Sequence, residues 1–369
     1  MRRRDFVVGL LLTGTTMSAR AQRRAKVYRL AIVDTVNPVI ELTEAGELPY
    51  YRGFFERLRQ LGFAEGQNLQ IKRYSGEGQS VRFNDMVSEV VNLKPDAIFV
   101  TSTRLLFMLK GATTTIPLVG LMGDPIRFGL VASMARPGGN ITGVSVDPGM
   151  EFYDKRYQLL KEAVPKVAKL GILISRVFLE KTADGAAMRE AARRAGIELI
   201  LPTIEAPYWR EDEYRAAFTR MAEESVDGVV VATMVENWTY RRLIITLAKE
   251  FRLPAIYPDR IFVELGGMIS FGPDSADAGR DCAQVVAEIF NGANPANIPI
   301  SQPTKYELCF NLTQLSQLYQ RMHRGSLHYR GWGGTGTVVA GAVMRGGGCG
   351  GRSSLSCLTR SFCSGPNSV

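Results

Sequence analysis

The chain predicts an α/β protein of two Rossmann-like lobes, each built on a parallel sheet, facing a central cleft. Three observations lead there. Short apolar runs alternate with amphipathic helical ones from residue 28 to residue 312, the pattern of parallel βα units. These units are too many for one ordinary sheet, and a body of about 290 residues is near the length at which chains divide into domains. Turn formers and polar residues gather after several apolar runs, at the strand ends where open α/β sheets bind ligands.

Taken in order, the expected strands are Arg29 to Val33, Leu69 to Tyr74, Ala97 to Val100, Leu118 to Leu121, Ile141 to Val144, Leu170 to Ile174, Glu198 to Pro202, Gly228 to Ala232 and Met268 to Phe271. Helical runs lie between them. In Tyr51 to Leu61, Phe54, Phe55, Leu58 and Leu61 share one face at spacings of three and four, and Gly62 supplies a stop. Asp277 to Phe290 reads as another helix and carries Cys282, while Tyr306 to Phe310 is strand-like and carries Cys309. Both cysteines fit the role of small apolar packing residues; Cys349, Cys357 and Cys363 lie in the tail.

The first residues read as an address. Arg3-Arg4-Asp5-Phe6 precedes an apolar stretch, Val7 to Leu12, and Ala19-Arg20-Ala21 offers a small-x-small cleavage site. Residues 1–21 are therefore expected to be a signal peptide, with the twin-arginine route preferred to the general secretory one. No stretch reaches the roughly 20 apolar residues of a membrane span. The formal charge of +9 is carried by the ends: residues 1–21 hold four arginines and one aspartate, and the tail from Thr313 holds six arginines and no acid. The body between is neutral, which leaves no basic footprint for nucleic acid.

Catalysis finds little footing. Histidine occurs only at His323 and His328, both in the tail, which removes Ser-His and Cys-His dyads and most zinc sites from the body. There is no phosphate loop and no Gly-x-Gly-x-x-Gly after the first strand, where Asp34 to Pro38 stands instead. No metal and no cofactor is expected.

Binding fits better. Thr101-Ser102-Thr103 follows a strand and opens a helical run, so hydroxyls and free N–H groups there suit a carboxylate, or simply cap the helix. Asp34 and Thr35 hold the same position after the first strand. Asp124 and Pro125 follow the fourth strand within Gly123-Asp-Pro, which by spacing alone reads first as an ordinary turn. In the second lobe, Glu236 and Asn237 precede a helix, where they either meet a ligand or cap. Tyr257 is expected at a cleft edge, offering a flat face to a ligand or packing. Trp238 lies nearer the expected cleft than Trp209.

Five stretches carry a resemblance: Gly123 to Gly143 (Gly-Asp-Pro-Ile-Arg-Phe-Gly-Leu-Val-Ala-Ser-Met-Ala-Arg-Pro-Gly-Gly-Asn-Ile-Thr-Gly), Phe54 to Asn68, Leu253 to Tyr257, Gly266 to Gly272 and Gln302 to Asn311. In this order they resemble the substrate-binding proteins of ABC transporters, in the family that includes tryptophan- and other aromatic-amino-acid-binding members. The resemblance implies a type I periplasmic-binding-protein fold, with crossings near Ser145 to Pro148 and Phe271 to Asp274. Lobe 1 would then comprise residues 27–145 and 273–312, and lobe 2 residues 146–272. It further implies a monomeric, soluble periplasmic protein, without catalysis, that takes an amino-acid-like or carboxylate solute by hinge closure and presents it to permease subunits. A ligand-sensing protein of the same fold, signalling to a receptor, is the alternative, and an enzyme using Asp124 as base a more distant one. On this reading Asp124 and Glu236 pair with a cationic group, residues 101–103 hold a carboxylate and Tyr257 packs on the side chain. Residues 313–369, rich in glycine and serine, leave the family pattern and are expected to be a disordered extension or the product of a shifted reading frame.

Overall fold

The computed structural model describes residues 26–146, 151–201, 210–322 and 344–345. The expected signal peptide, Pro148, Trp209, His323, His328 and the three tail cysteines lie outside these residues.

The first lobe runs β1 (Tyr28–Asp34), α1 (Pro49–Gln60), β2 (Leu69–Ser75), α2 (Phe83–Leu93), β3 (Ala97–Val100), α3 (Thr103–Ala112), β4 (Leu118–Met122) and β5 (Ile141–Ser145). Its sheet has the order β2-β1-β3-β4-β5, and every pairing is parallel. Alternation explains why β1 reads as a continuous apolar run. Leu30 and Ile32 enter the core beneath α1, while Ala31 and Val33 enter the core beneath α2 and α3. A parallel sheet covered on both faces needs apolar residues at every position.

The second lobe continues with α4 (Glu151–Ala163), β6 (Lys169–Leu173), α5 (Arg176–Lys181), α6 (Ala183–Arg194), β7 (Glu198–Ile200), α7 (Glu211–Glu223), β8 (Gly228–Val231), α8 (Val235–Thr239), α9 (Arg241–Glu250), β9 (Ala255–Tyr257), α10 (Arg260–Glu264) and β10 (Ile269–Pro273). Strands β7, β6, β8, β9 and β10 are parallel neighbours in that order. At three residues, β9 is too short to show a period, and it was not among the expected strands.

From Asp274 the chain returns to the first lobe as α11 (Ser275–Phe290), which lies against α1 at a crossing made close by glycine. A methyl group on Gly53 would overlap the Ala276 carbonyl, and one on Gly279 the Tyr50 carbonyl. Ser301 then bridges Val144 beside β5.

The expectation that everything to residue 312 stays in the first lobe is corrected here. β11 (Lys305–Phe310) pairs antiparallel with β10, and α12 (Leu312–Met322) sets Leu315 and Leu318 into the second core. The chain therefore crosses between lobes three times. The tail boundary at 313 is corrected as well, because that residue lies inside α12, whose apolar spacing gives it a face to bury. β12 (Met344–Arg345) adds to the outer edge of β11.

Candidate functional site

The carboxyl ends of the two sheets face each other, as the contacts between lobes establish. The Tyr50 ring, at the start of α1, meets Trp238 of α8 edge-on with centroids 6.4 Å apart. Glu47 accepts from Arg242 Nη2 at 2.6 and 2.7 Å and lies 3.8 Å from Arg241 Nη2. The guanidinium of Arg127, after β4, sits 6.0 Å from the Phe178 ring of α5. Arg104, in the first turn of α3, acts electrostatically on Glu236 of α8. Each of these residues belongs to a segment that follows the carboxyl end of a strand.

On the first-lobe wall, Asp34 is buried and its carboxylate is already engaged. It accepts from the backbone N–H groups of Val36 and Asn37, both at 2.8 Å, from Asn37 Nδ2, from Tyr51 OH at 2.9 Å and from Thr101 Oγ1 at 2.7 Å. The cluster ties the ends of β1 and β3 to the start of α1. Asn37 Nδ2 also donates to Tyr50 OH at 3.1 Å, while Asn37 Oδ1 is buried without a partner. Burial, and then the Asp34 charge, push the phenols of Tyr50 and Tyr51 well above their usual pKa. Both remain neutral, Tyr51 as a donor to Asp34 and Tyr50 as an acceptor from Asn37.

The other expected first-lobe residues are likewise engaged within their own lobe. Thr35 is buried, and its carbonyl accepts from Gly78 N–H. Ser102 caps α3, accepting from Leu105 N–H at 3.4 Å, and Thr103 Oγ1 accepts from Gly123 N–H at 2.9 Å. Asp124 closes its own turn, accepting from Ile126 and Arg127 N–H at 2.9 and 3.1 Å, and the Pro125 carbonyl takes Leu130 N–H. At Ser102 and Asp124 the capping alternative is the arrangement present.

The second-lobe wall divides more sharply. Asn237 is fully buried and pins three elements: Oδ1 accepts from Tyr214 OH at 2.9 Å, and Nδ2 donates to the Leu173 and Ala232 carbonyls at 2.9 Å. Tyr257 is not at the cleft edge. Its ring stacks on Phe262, with centroids 5.1 Å apart, and abuts Gly267. It borders a depression of about 840 Å³ on the outer side of the lobe, lined also by Lys249, Arg252 and Gln314. The physical reason is strand alternation, which turns position 257 towards the α9–α10 layer. Glu236 does face the cleft: burial raises its pKa, with the charge of Arg104 opposing.

Several residues at this site were missed in the sequence. Asp259, two positions beyond β9, caps α10 by accepting from Ile261 N–H at 2.9 Å and receives Ser275 OH at 2.6 Å, joining the second lobe to the start of α11. Burial raises its pKa to about 6. Arg156 of α4 is fully buried at the carboxyl ends of β8 and β10, and Arg241 Nε is buried without a partner. For Asp259 a signal existed, since an acid directly after an apolar run and proline occupies a strand's carboxyl end. Arg156 gave none, because it lies in the middle of a helix of ordinary polar composition.

Two lobes of this topology, with a polar and aromatic cleft between the sheet ends, define a two-lobed solute-binding protein. The chain belongs to the family of ABC transporter substrate binding proteins, whose family model matches residues 38–325. It is 23% identical over 280 residues to a tyrosine-binding protein of Clostridioides difficile, covering 75% of this chain and 79% of the relative. Among solved structures, a conserved domain protein of Vibrio cholerae superposes with a TM-score of 0.68 at 23% identity, covering 80% of this chain and 95% of that one. A Streptococcus pneumoniae ABC domain in complex with L-Trp gives 0.68 at 22%, with the same coverage. Both are type I periplasmic-binding-protein-like folds. Among the described residues, no helix is long and apolar enough to cross a membrane, and no cluster of three or more His, Cys, Asp or Glu could hold a metal ion.

Proposed function

We propose that this protein is the exported solute-binding component of an ABC importer, and that its solute is an amino acid with an aromatic side chain. The observation that carries the reading is the aromatic bridge across the cleft. Tyr50 of one lobe meets Trp238 of the other, and Trp238 rests edge-on against Phe262 with centroids 5.6 Å apart. Aromatic faces at a closing seam favour a flat apolar side chain, and polar strand ends around them favour a charged backbone. The tyrosine-binding relative and the L-Trp-bound neighbour support the same class.

Capture then works as a population shift. A solute that touches both walls stabilises the closed arrangement over the open one, and the closed form is the one offered to permease subunits. Glu236 is the acid suited to an ammonium group, while Asp259, engaged by Ile261 N–H and Ser275 OH, ties the second lobe to the start of α11. Asp34, Thr35, residues 101–103, Asp124, Pro125 and Asn237 serve as the scaffold that holds the walls, and Tyr257 backs Phe262.

The test is titration calorimetry of the full-length protein against L-tyrosine, L-tryptophan, L-leucine and a hexose, with small-angle scattering on the same samples. The expected result is tightest binding by an aromatic amino acid, with a smaller radius of gyration on saturation. Binding of the hexose alone, or of an amino acid without compaction, would overturn the substrate class or the hinge respectively.

A further inference from the structure

Among the described residues, Arg156 is the one basic side chain buried away from solvent. Its Nε donates to the Phe271 carbonyl at 3.0 Å and Nη1 to the Val231 carbonyl at 3.3 Å, while the Phe152 ring lies 4.3 Å from the guanidinium carbon. Nη2 has no hydrogen-bond partner, and no carboxylate of the described residues lies within ion-pair distance. Burial lowers its pKa to about 10, opposed by the Tyr153 and Tyr157 phenols and then by Asp259, so the group stays charged at neutral pH. A buried guanidinium without a carboxylate carries a heavy desolvation cost and leaves N–H donors unmade.

Its place in the sheet says what would complete it. Val231 ends β8, Phe271 lies near the end of β10, and β9 runs between them. The guanidinium thus straddles the carboxyl edge of the three central strands, where open α/β sheets gather their ligands. The hydroxyls expected to hold a carboxylate, on residues 101–103, already serve Asp34, the α3 cap and the start of the β4 loop.

We infer that Arg156 is the carboxylate-binding group of the cleft, so that the solute's acid group is received by the second lobe through Nη2. The inference rests on the solute-binding reading above, with the solute's acid group reaching the guanidinium nitrogen that has no hydrogen-bond partner. A guanidinium already fixed by two carbonyls and an aromatic face presents its remaining edge in one direction, which suits a planar carboxylate.

The experiment uses full-length wild type, Arg156→Gln and Arg156→Lys, titrated with L-tyrosine, tyramine (no carboxylate) and 4-hydroxyphenylacetate (no ammonium). Wild type is expected to bind L-tyrosine at least about tenfold tighter than tyramine. Arg156→Gln should weaken L-tyrosine and 4-hydroxyphenylacetate to that extent and leave tyramine unchanged. Arg156→Lys, which keeps the charge and loses the Nη2 edge, should fall between them and carries the test if the glutamine variant does not fold. Tyramine binding as tightly as L-tyrosine to wild type would overturn the inference. So would discrimination that survives in the folded variants, which would leave the amino-acid reading standing. Failure of wild type to bind any of the three or L-tryptophan would overturn both.

Discussion

At the residue scale, the site separates side chains that hold the walls from those that face the cleft. Asp34 looked like a ligand group because it follows the first strand, yet its carboxylate accepts from Tyr51, Thr101 and the Asn37 backbone. Sequence position identifies which residues reach a strand's carboxyl end but not which partners fold onto them. Tyr51 reaches Asp34 from 17 residues away and Thr101 from 67, contacts that no local pattern encodes. Asp259 shows the reverse case, an acid marked by the apolar run and proline before it, though its strand of three residues shows no period.

Asp259 also carries a prediction about pH. Its folded pKa is raised by burial from 3.8 to about 6, so between these values the native state binds more protons than the unfolded one. Its contribution to stability is therefore full below the unfolded value and lost as pH rises through the folded one. A shift of about two units corresponds to roughly 3 kcal/mol. Glu236, Glu307 and Asp281 are raised in the same direction, so the informative quantity is the difference from Asp259→Asn. The asparagine keeps an acceptor for Ile261 N–H and, without a charge, offers its Nδ2 as a donor to Ser275 Oγ, reversing that bond. In urea unfolding from pH 4 to pH 7, wild type should lose up to about 3 kcal/mol relative to the variant. Parallel stability curves would mean that the carboxyl ionises as readily in the folded chain as in the unfolded one.

At the element scale, the helices and strands of the first lobe were the most legible, because their apolar spacing is local. The helix expected over residues 51–61 ends as Gly62 requires. Gly62 has φ +87°, its N–H donates to Arg59 C=O, and Phe63 N–H donates to Leu58 C=O, the two bonds of a Schellman cap. What the spacing does not contain is the α1–α11 crossing, which joins segments more than 200 residues apart. The crossing makes two glycine substitutions diverge. A methyl group on Gly111, near the end of α3, would meet open space, whereas one on Gly279 would overlap the Tyr50 backbone. Gly111→Ala should gain up to about 1 kcal/mol from helix propensity. Gly279→Ala should lose about 1–3 kcal/mol through overpacking and displace Tyr50 from Trp238. Denaturant midpoints of the two variants check both signs; equal gains would mean that α11 is free to move off α1.

At the scale of the whole molecule, two lobes are joined by three crossings and touch across the cleft through very different contacts. The Tyr50–Trp238 contact is aromatic and salt-insensitive, whereas the Glu47–Arg242 pair is ionic and exposed, with Glu47 43% and Arg242 62% accessible. An exposed pair contributes about 0–1 kcal/mol and is screened by salt. That is small against folding but not against a balance between open and closed forms. If the closed form alone holds the solute tightly, the apparent affinity scales with its population. Glu47→Ala should therefore weaken solute binding by up to about fivefold at low ionic strength, with little change in melting temperature. The deficit should vanish at high salt, where wild type has lost the same attraction. Pairing Glu47→Arg with Arg242→Glu should recover part of the affinity. Calorimetric titration of these variants at two ionic strengths separates the outcomes. A fivefold loss that persists at high salt would assign Glu47 to the solute itself, and no loss at low salt would mean that closure is held by the aromatic contact alone.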